Sequence, residues 1–318
     1  MTRSPAPEPL IAIIGPTAVG KSALALDLAE RMPAEIVSAD SRQIYRYMDI
    51  GTAKPTAEER NRVGHHLLDI VDPDQTLTLA QYQSLAYAAI EDIHKRGRVP
   101  LFVGGSGLYV RAVLEGLRIP RVKPNSSLRE QLYREAETKG GEALHSRLRE
   151  LDPHAADRID PRNLRRVVRA LEVCYELGQP VSSVQKAASP PYRVMRIGLR
   201  MERPLLYQRI DQRLVRMLSA GLVDEVRSLL KRGYSHELPS MTALGYRQIA
   251  MYLRGAVALQ EAVGLIKRHT RRFVRQQANW FRLDDPLIRW FDASEPVFTA
   301  IQELTSRFLS MTAISQAR

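Results

Sequence analysis

The sequence has only one cysteine and no long apolar run. The single Cys174 excludes an intramolecular disulfide and is typical of a reducing compartment, so we expect a cytoplasmic protein in which this thiol is buried. The longest apolar runs have the length of a strand, which predicts no transmembrane helix and no membrane partner. Residues 1–9 are polar and proline-bearing without an apolar signal region, and we expect them to form a frayed tail.

Acidic residues are the minority among the charged side chains. The 318 residues include 47 lysines and arginines against 35 aspartates and glutamates, which gives a formal net charge of +12. This excess favours a polyanionic partner, with a basic protein that is merely soluble as the alternative.

Part of the positive charge lies in two rows of arginines at near-helical spacing. The rows are Arg162, Arg165, Arg166 and Arg169, and Arg268, Arg272 and Arg275. Either row alone could be a solvated surface, but the two together favour a cleft that binds RNA. Val274 and Phe281 fall on another face of the second row's helix, where we expect them to pack inward.

The first third of the sequence alternates strand and helix patterns. Strands are predicted over residues 10–14, 35–38 and 99–103, and helices over residues 21–32 and 78–96. Because strands separated by helices pair in parallel, the pattern predicts an α/β fold whose parallel sheet is covered on both faces.

From residue 120 the pattern becomes helical. Ser126 or Ser127 is expected to cap one helix, and Asp160 followed by Pro161 is expected to start another that stops at Gly178. A strand returns over residues 192–199, followed by helices over 205–219, 223–232, 243–253 and 259–282. We therefore predict a core in two parts, 1–119 and 191–318, the second part with basic helices, interrupted by a helical insertion over 120–190.

The segment from Gly15 to Ser22 reads G-x-x-x-x-G-K-S and carries a specific chemical signal. It follows an apolar strand and precedes a helix, a context in which backbone amides and a helix N-terminus hold an anion. Lys21 adds a positive charge, and the Ser22 hydroxyl is predicted to reach Mg²⁺. The predicted phosphate-binding residues are Gly15, Pro16, Thr17, Ala18, Val19, Gly20, Lys21 and Ser22.

The metal-binding acid of a nucleoside-triphosphate hydrolase is missing from its usual place. The third predicted strand ends in Gly104-Gly105-Ser106, and the nearby acid is Asp40, after the second strand. This arrangement favours a group transfer in which a diphosphate leaves, while a small-molecule kinase stays an alternative. A non-catalytic RNA-binding module is a second alternative, but it leaves the phosphate loop and Asp40 unexplained.

Seven motifs occur in order along the chain: GPTAVGKS, SADSRQIY, HHLLDIVDP, LFVGGSGLYVRA, LRRVVRALEV, LYQRIDQRL and LGYRQ. In this combination the sequence resembles the bacterial tRNA dimethylallyltransferases, also called tRNA isopentenyltransferases, over about residues 10–282. The resemblance implies transfer of a dimethylallyl group from dimethylallyl diphosphate to N6 of adenine 37 in tRNAs that read codons beginning with U. It also implies a P-loop NTPase-like core, bound Mg²⁺ and a helical insertion that grips the anticodon stem-loop. We expect a monomer.

The resemblance assigns candidate roles to individual residues. Asp40 and Thr17 are the candidate catalytic residues, and Arg209 and Arg213 are candidates for the diphosphate side. Candidate tRNA contacts are Asp40, Ser41, Arg42, Gln43, Ser106, Arg129, Arg165, Arg166, Val167, Val168, Arg169, Ala243, Leu244, Gly245, Tyr246, Arg247, Arg272 and Arg275. Two of these depart from the family pattern, since Ser106 stands where threonine is usual and Arg165 where glutamine is common.

Asp40 has the chemistry that such a transfer requires. The exocyclic amine of adenine is a poor nucleophile that becomes acidic as it attacks, so a nearby carboxylate can accept its proton. The alternative roles for Asp40 are to cap a helix or to orient Mg²⁺. The target base must leave its stack to reach the pocket, and this costs least in an RNA loop.

Overall fold

The computed structural model describes residues 7–120, 122–184, 190 and 192–316, with side chains described up to residue 310. The chain forms two compact units: one comprises Met1–Leu114 and Pro190–Arg318, and the other comprises Glu115–Ser189. The second unit thus begins at Glu115, whereas the sequence pattern placed the start of the insertion at residue 120.

A six-stranded sheet forms the centre of the first unit. Its strands are β1 (Glu8–Ile14), β2 (Ala34–Ala39), β3 (His65–His66), β4 (Val99–Gly104), β5 (Tyr192–Arg200) and β6 (Ile288–Asp292). All pairs are parallel, and the order across the sheet is β3-β2-β4-β1-β5-β6. The predicted α/β fold with a parallel sheet is confirmed. The expected tail is wrong at Glu8 and Pro9, which belong to β1, while residues 1–6 lie outside the described part of the chain.

Alternate side chains of β1 pack into two different cores, one on each face of the sheet. Leu10, Ala12 and Ile14 pack on one face, and Ile11 and Ile13 on the other, and all five are buried. This is why the strand reads as a continuous apolar run rather than as an alternating one.

The helices follow the strands in chain order. They are α1 (Lys21–Ala29), α2 (Ala57–Arg62), α3 (Leu79–Lys95) and α4 (Gly107–Leu114), then α5 (Ser126–Lys139), α6 (Gly141–Leu151), α7 (Pro153–Arg158), α8 (Leu164–Leu177) and α9 (Val181–Val184), and finally α10 (Arg203–Ser219), α11 (Leu222–Lys231), α12 (Tyr246–Leu253), α13 (Leu259–Gln277) and α14 (Phe298–Gln316). None of the described helices is both long and apolar enough to cross a membrane.

Three helices of the first unit are shorter than predicted, and the first is α1, which ends at Ala29 rather than at residue 32. α12 starts at Tyr246 rather than at residue 243, because Gly245 has a φ of +92°, which a helix excludes. α13 ends at Gln277 rather than at residue 282, and the chain continues in tight turns in which the N–H of Trp280 donates to the carbonyl of Gln277 at 3.0 Å. Phe281, which follows these turns, is buried, as is Val274 within α13, as predicted.

The second unit is a helical bundle with its own apolar core. The core includes Leu132, Leu144, Leu148, Val167, Val168 and Leu171. Cys174 also lies in it, and burial raises the pKa of its thiol, so the predicted packing role is confirmed.

The helix starts predicted for this unit are wrong. Asn125 caps α5 by accepting the N–H of Leu128 at 3.1 Å, so neither Ser126 nor Ser127 is the cap. Asn163 caps α8. The carboxylate of Asp160 binds the backbone and guanidinium of Arg162 instead, so Arg162 precedes the helix and does not continue its arginine row.

Candidate active site

The phosphate loop has the strand–turn–helix geometry that its sequence predicts. Gly15 follows β1 with a φ of +144°, and a Cβ at this position would lie 2.4 Å from the carbonyl oxygen of Leu199. Gly20 has a φ of +110° and directly precedes α1, which begins at Lys21. Only glycine fits both positions without strain, and the loop they shape leads into the N-terminus of α1.

Lys21 is the central cation of this loop. Its Nζ donates a hydrogen bond to the carbonyl oxygen of Pro16 at 2.7 Å. Burial lowers the pKa of the ammonium group to about 8, the field of Asp40 raises it and the field of Arg213 lowers it. At neutral pH Lys21 is therefore still mainly protonated, and a bound diphosphate would raise its pKa again.

Two arginines of α10 flank the loop. Arg213 donates from Nη1 to the Thr17 hydroxyl at 3.2 Å, and Arg209 donates from Nη1 to the carbonyl oxygen of Val19 at 3.2 Å. The two arginines are one helical turn apart, so α10 places both guanidinium groups on the same side of the loop. This is the placement expected of residues on the diphosphate side.

Asp40 follows β2 at the same edge of the sheet. Its Oδ1 accepts the N–H of Arg42 at 2.8 Å, and the N–H of Ser41 donates to the Ser106 hydroxyl at 2.9 Å. The N–H of Ser106 in turn donates to the carbonyl oxygen of Ala39 at 3.2 Å. Because β4 lies between β1 and β2, the turn after β4 connects the phosphate loop and Asp40 at the carboxyl ends of the strands.

A cavity of about 280 Å³ opens between these segments. Its polar lining includes Thr17, Lys21, Asp40, Ser106 and Arg213, and its apolar lining includes Ile210, Leu214, Met217, Leu222, Ile266 and Phe273. A cavity of this composition can hold an anionic group beside an apolar one, with a carboxylate within the same space.

The predicted contacts after β2 divide into two groups. Ser41 and Arg42 line the cavity together with Asp40, and Arg42 also donates to the carbonyl oxygen of Pro239 at 2.8 Å. Gln43 does not line it: its amide accepts the Ser38 hydroxyl at 3.0 Å and donates to the carbonyl oxygen of Ala53 at 3.1 Å.

Only part of the segment from Ala243 to Arg247 lines the cavity. Ala243, Leu244 and Gly245 line the cavity. Tyr246 is fully buried and donates its hydroxyl hydrogen to Glu225 at 2.6 Å, whereas Arg247 is exposed. Tyr246 thus packs inside the unit, and its buried side chain cannot make the predicted contact with RNA.

The arginines of the two rows are exposed, except for Arg169. Arg268, Arg272 and Arg275 are exposed on α13, as are Arg165 and Arg166 on α8. Arg169 and Arg129 are half-buried and both bind the buried carboxylate of Glu172, with 2.8 Å from Arg129 Nη2 to Glu172 Oε2. The side chains of Val167 and Val168 are in the core of the second unit, so their predicted RNA contact is corrected to a packing role.

Two residues at the site were missed by sequence reasoning. Gln277, at the end of α13, binds the backbone of the phosphate loop, and Glu225 accepts the N–H groups of Asp49, Ile50 and Gly51 beside the cavity. A signal for Gln277 exists, since it continues the buried stripe of α13 three residues after Val274. Glu225 carries no comparable signal.

The described residues include no cluster of three or more histidine, cysteine, aspartate or glutamate side chains that could hold a metal ion. Ser22, the predicted Mg²⁺ contact, is the second residue of α1 and is exposed. Mg²⁺ commonly combines one or two protein oxygens with phosphate oxygens and water, so a hydroxyl beside a phosphate loop fits this donor set without an acidic cluster.

These features define a P-loop α/β protein that combines an anion cradle with a carboxylate in one cavity. A family model described as IPP transferase matches residues 43–284. The chain is 56% identical to the tRNA dimethylallyltransferase of Roseiflexus castenholzii over 274 residues, which are 86% of this chain and 90% of that protein. It is 48% identical to the tRNA dimethylallyltransferase of Dehalococcoides mccartyi over 307 residues, or 96% of this chain and 94% of that one. The chain belongs to the IPP transferase family.

Two solved structures are similar over most of the chain. The full-length tRNA isopentenylpyrophosphate transferase of Bacillus halodurans is 40% identical, with a TM-score of 0.72 over 98% of this chain and all of that one. A eukaryotic dimethylallyltransferase acting on tRNA is 26% identical, with a TM-score of 0.82 over 95% of this chain and 80% of that one. The predicted P-loop NTPase-like fold and the family resemblance are confirmed.

Proposed function

We propose that this enzyme transfers the dimethylallyl group of dimethylallyl diphosphate to N6 of adenine 37 in tRNAs that read codons beginning with U. The observation that carries the proposal is the single cavity in which Lys21 and Arg213, Asp40 and an apolar wall meet. The cations suit a diphosphate, the apolar wall suits a five-carbon chain, and the carboxylate suits an acidic amine. The relatives named tRNA dimethylallyltransferase support the same reaction.

In the proposed step the N6 amine attacks the first carbon of the dimethylallyl group. The new N–C bond forms as the C–O bond to the diphosphate breaks, and the proton lost from N6 passes to the Asp40 carboxylate. The leaving diphosphate takes the bonding electron pair. Lys21, Arg213 and the backbone amides of the phosphate loop stabilise its negative charge.

Mg²⁺ is the proposed metal partner of the diphosphate. The Ser22 hydroxyl, next in the chain to the cavity residue Lys21, would hold it together with diphosphate oxygens, and Asp40 is the acid in the cavity lining. When bound, the ion would neutralise part of the charge on the leaving group.

The RNA partner is proposed to bind through exposed arginines of both units. α13 presents Arg272 and Arg275, and α8 presents Arg165 and Arg166. Phosphate contacts of this kind position the nucleic acid, while adenine 37 leaves its stack to enter the cavity. We also propose that the enzyme acts as a monomer and, because its substrate is tRNA, in the cytoplasm.

The test is to incubate the protein with radiolabelled dimethylallyl diphosphate, Mg²⁺ and bulk tRNA, and to digest the RNA to nucleosides. We expect the label in N6-(dimethylallyl)adenosine from position 37. Rapid ATP turnover without binding of the prenyl diphosphate would instead support a small-molecule kinase. RNA binding with neither activity would leave only a binding module.

A further inference from the structure

The side chain of Gln277 joins two loops of the site through both ends of its amide. The Oε1 atom accepts the backbone N–H of Thr17 at 2.9 Å, and Nε2 donates to the carbonyl oxygen of Gly105 at 2.9 Å. Gln277 is only 3% exposed, so neither bond competes with bulk water. One residue of α13 therefore ties the loop after β1 to the turn after β4.

The turn after β4 is shaped to receive this end of α13. A Cβ at Gly105 would lie 2.5 Å from Gln277 Nε2, and a Cβ at Gly107 would lie 2.2 Å from Cγ of Trp280. Both glycines thus leave space that a neighbouring side chain fills. The Trp280 contact is independent of the Gln277 hydrogen bonds, and it seats the residues after α13 on the same turn.

Thr17 is held at two atoms by two different helices. Gln277 of α13 binds its backbone N–H, and Arg213 of α10 binds its hydroxyl at 3.2 Å. Without the Gln277 amide, the N–H of Thr17 and the carbonyl of the buried Gly105 would both lose their partners. A buried polar group without a partner is costly enough to favour a rearranged loop.

We propose that Gln277 is a positioning residue that holds the first half of the phosphate loop in its diphosphate-binding conformation. This inference rests on the proposed function, because it concerns the same cavity. It assigns Gln277 no contact with substrate: the amide acts through Thr17, whose position sets where the diphosphate, and with it the reacting carbon, lies relative to Asp40. Displacement of reacting groups by about 1 Å can slow a reaction roughly 100-fold.

The test compares Gln277→Met with Gln276→Met. Methionine keeps the length of glutamine and forms neither hydrogen bond, and Gln276 is the exposed neighbour on the same helix. We expect Gln277→Met to slow single-turnover transfer by about 10- to 100-fold and to weaken binding of inorganic pyrophosphate, while tRNA affinity changes less than about threefold. Gln276→Met should match the wild type in transfer and in pyrophosphate binding.

Hydrogen–deuterium exchange gives a readout that does not depend on activity. The Thr17 amide should exchange slowly in the free wild type and in Gln276→Met, and faster in Gln277→Met. If Gln277→Met does not fold, Gly105→Ala tests the same contact from the other side, since its Cβ would lie 2.5 Å from Gln277 Nε2, closer than the 3.1 Å to the Gly15 carbonyl oxygen. This variant should show the same fast exchange of Thr17.

The outcomes separate the two proposals. Absence of transfer by the wild type would overturn the proposed function, while Thr17 exchange would still report on the contact. Normal transfer by Gln277→Met, or a Thr17 amide that exchanges rapidly in the wild type, would overturn the positioning role alone.

Discussion

At the scale of single residues, the charged groups of the site shift one another's pKa values. Lys21 and Arg213 lie on the wall of the same cavity as Asp40, and burial lowers the pKa values of both cations. The field of Asp40 opposes this effect on each of them. The free site is thus less positive near pH 8 than its residue types suggest, because Lys21 titrates there.

Diphosphate affinity should therefore depend on pH above neutrality. Only the protonated form of Lys21 attracts the anion, and in the free protein its pKa is about 8. As pH rises from 7 to 9, the Kd for pyrophosphate should increase by up to about tenfold per unit above pH 8. Isothermal titration calorimetry at several pH values measures this.

Lys21→Met provides the control for this pH effect. It should bind pyrophosphate more weakly at pH 7 and lose most of the dependence between pH 7 and 9, while its tRNA affinity stays near normal. A wild-type Kd that is constant over this range would contradict the lowered pKa.

Residue-scale prediction from the sequence succeeded where a motif carries the chemistry. The phosphate loop and Asp40 lie together as expected, because strand ends of a parallel sheet share an edge, and Arg209 and Arg213 of α10 lie beside the loop as the resemblance implies. The buried stripe of α13 could have marked Gln277 as buried, but not its role, which depends on a backbone N–H from a loop 260 positions away in the sequence. Val167 and Val168 were predicted to contact tRNA only because they lie within a family motif. They are buried because they lie on the face of α8 that packs into the core of the second unit.

At the scale of elements, buried carboxylates fasten helices and strands to each other. Glu35 in β2 is one of them, and its carboxylate binds Arg96 at the end of α3 and His66 in β3. The hydrogen bonds from Arg96 lower the pKa of Glu35 to about 2, against the opposing effect of burial. In the second unit, the buried carboxylate of Glu172 joins two helices by binding Arg129 of α5 and Arg169 of its own helix, α8.

Glu35→Gln should destabilise the first unit by about 1–3 kcal/mol, because the guanidinium of Arg96 loses its buried carboxylate partner and keeps only the exposed Asp92. Asp92→Asn is the matched control: Asp92 binds the same Arg96 from an exposed position, so its loss should cost under about 1 kcal/mol. Urea unfolding at pH 7 measures both.

The effect of Glu35 should also depend on pH. Its folded pKa is below its unfolded value of about 4.5, so its stabilisation is complete above pH 4.5. The stability difference between wild type and Glu35→Gln should shrink as pH falls from about 4.5 to about 2. A difference that stays constant over this range would mean that the carboxylate is not held ionised by Arg96.

Glu172→Gln should loosen the helical insertion. Glu172 is fully buried and binds Arg129, Arg169 and the N–H of Asn125, so its loss leaves two guanidinium groups without their carboxylate. We expect about 3 kcal/mol of local destabilisation, seen as faster hydrogen exchange in α5 and α8. Glu176→Gln, an exposed position on the same helix, should change exchange little.

Element prediction was accurate for periodic segments and poor at their ends. The helix predicted from residue 78 begins at Leu79 as α3, and the structure adds that Thr78 and Gln81 form its capping box. Asp160 failed as a cap because it binds Arg162, a competition that local patterns do not reveal. β3, β6 and α14 were not predicted at all, and β3, at two residues, is shorter than a periodic pattern can show.

At the scale of the whole molecule, the net charge of +12 should appear as salt-dependent RNA binding. Reversing Arg272 and Arg275 together should reduce the slope of log Kobs against log[salt] by somewhat under about 2, since each phosphate contact contributes slightly less than one. Filter-binding titrations from about 50 to about 300 mM salt would measure it.

In the helical insertion, Arg165 and Arg166 are the matching pair whose charges should be reversed for the same test. Both are exposed, whereas Arg169 is bound to Glu172, so its reversal would also disturb the fold. The control is Arg307→Glu on α14, whose side chain is 79% exposed and pairs only weakly with Glu303 at 3.6 Å. If reversing either arginine pair changes the salt slope no more than this control does, the two rows are ordinary solvated surface and do not bind RNA.

The central claim is that Asp40 accepts the proton of the adenine amine opposite a diphosphate held by the phosphate loop. The most direct test is single-turnover transfer by Asp40→Asn with both substrates saturating, beside Asp27→Asn, an exposed aspartate of α1, as control. Asparagine keeps the shape but cannot accept the proton, so transfer should slow by roughly 10²–10⁴-fold while both substrates bind within a few-fold of wild type. A near-normal single-turnover rate for Asp40→Asn would contradict the claim.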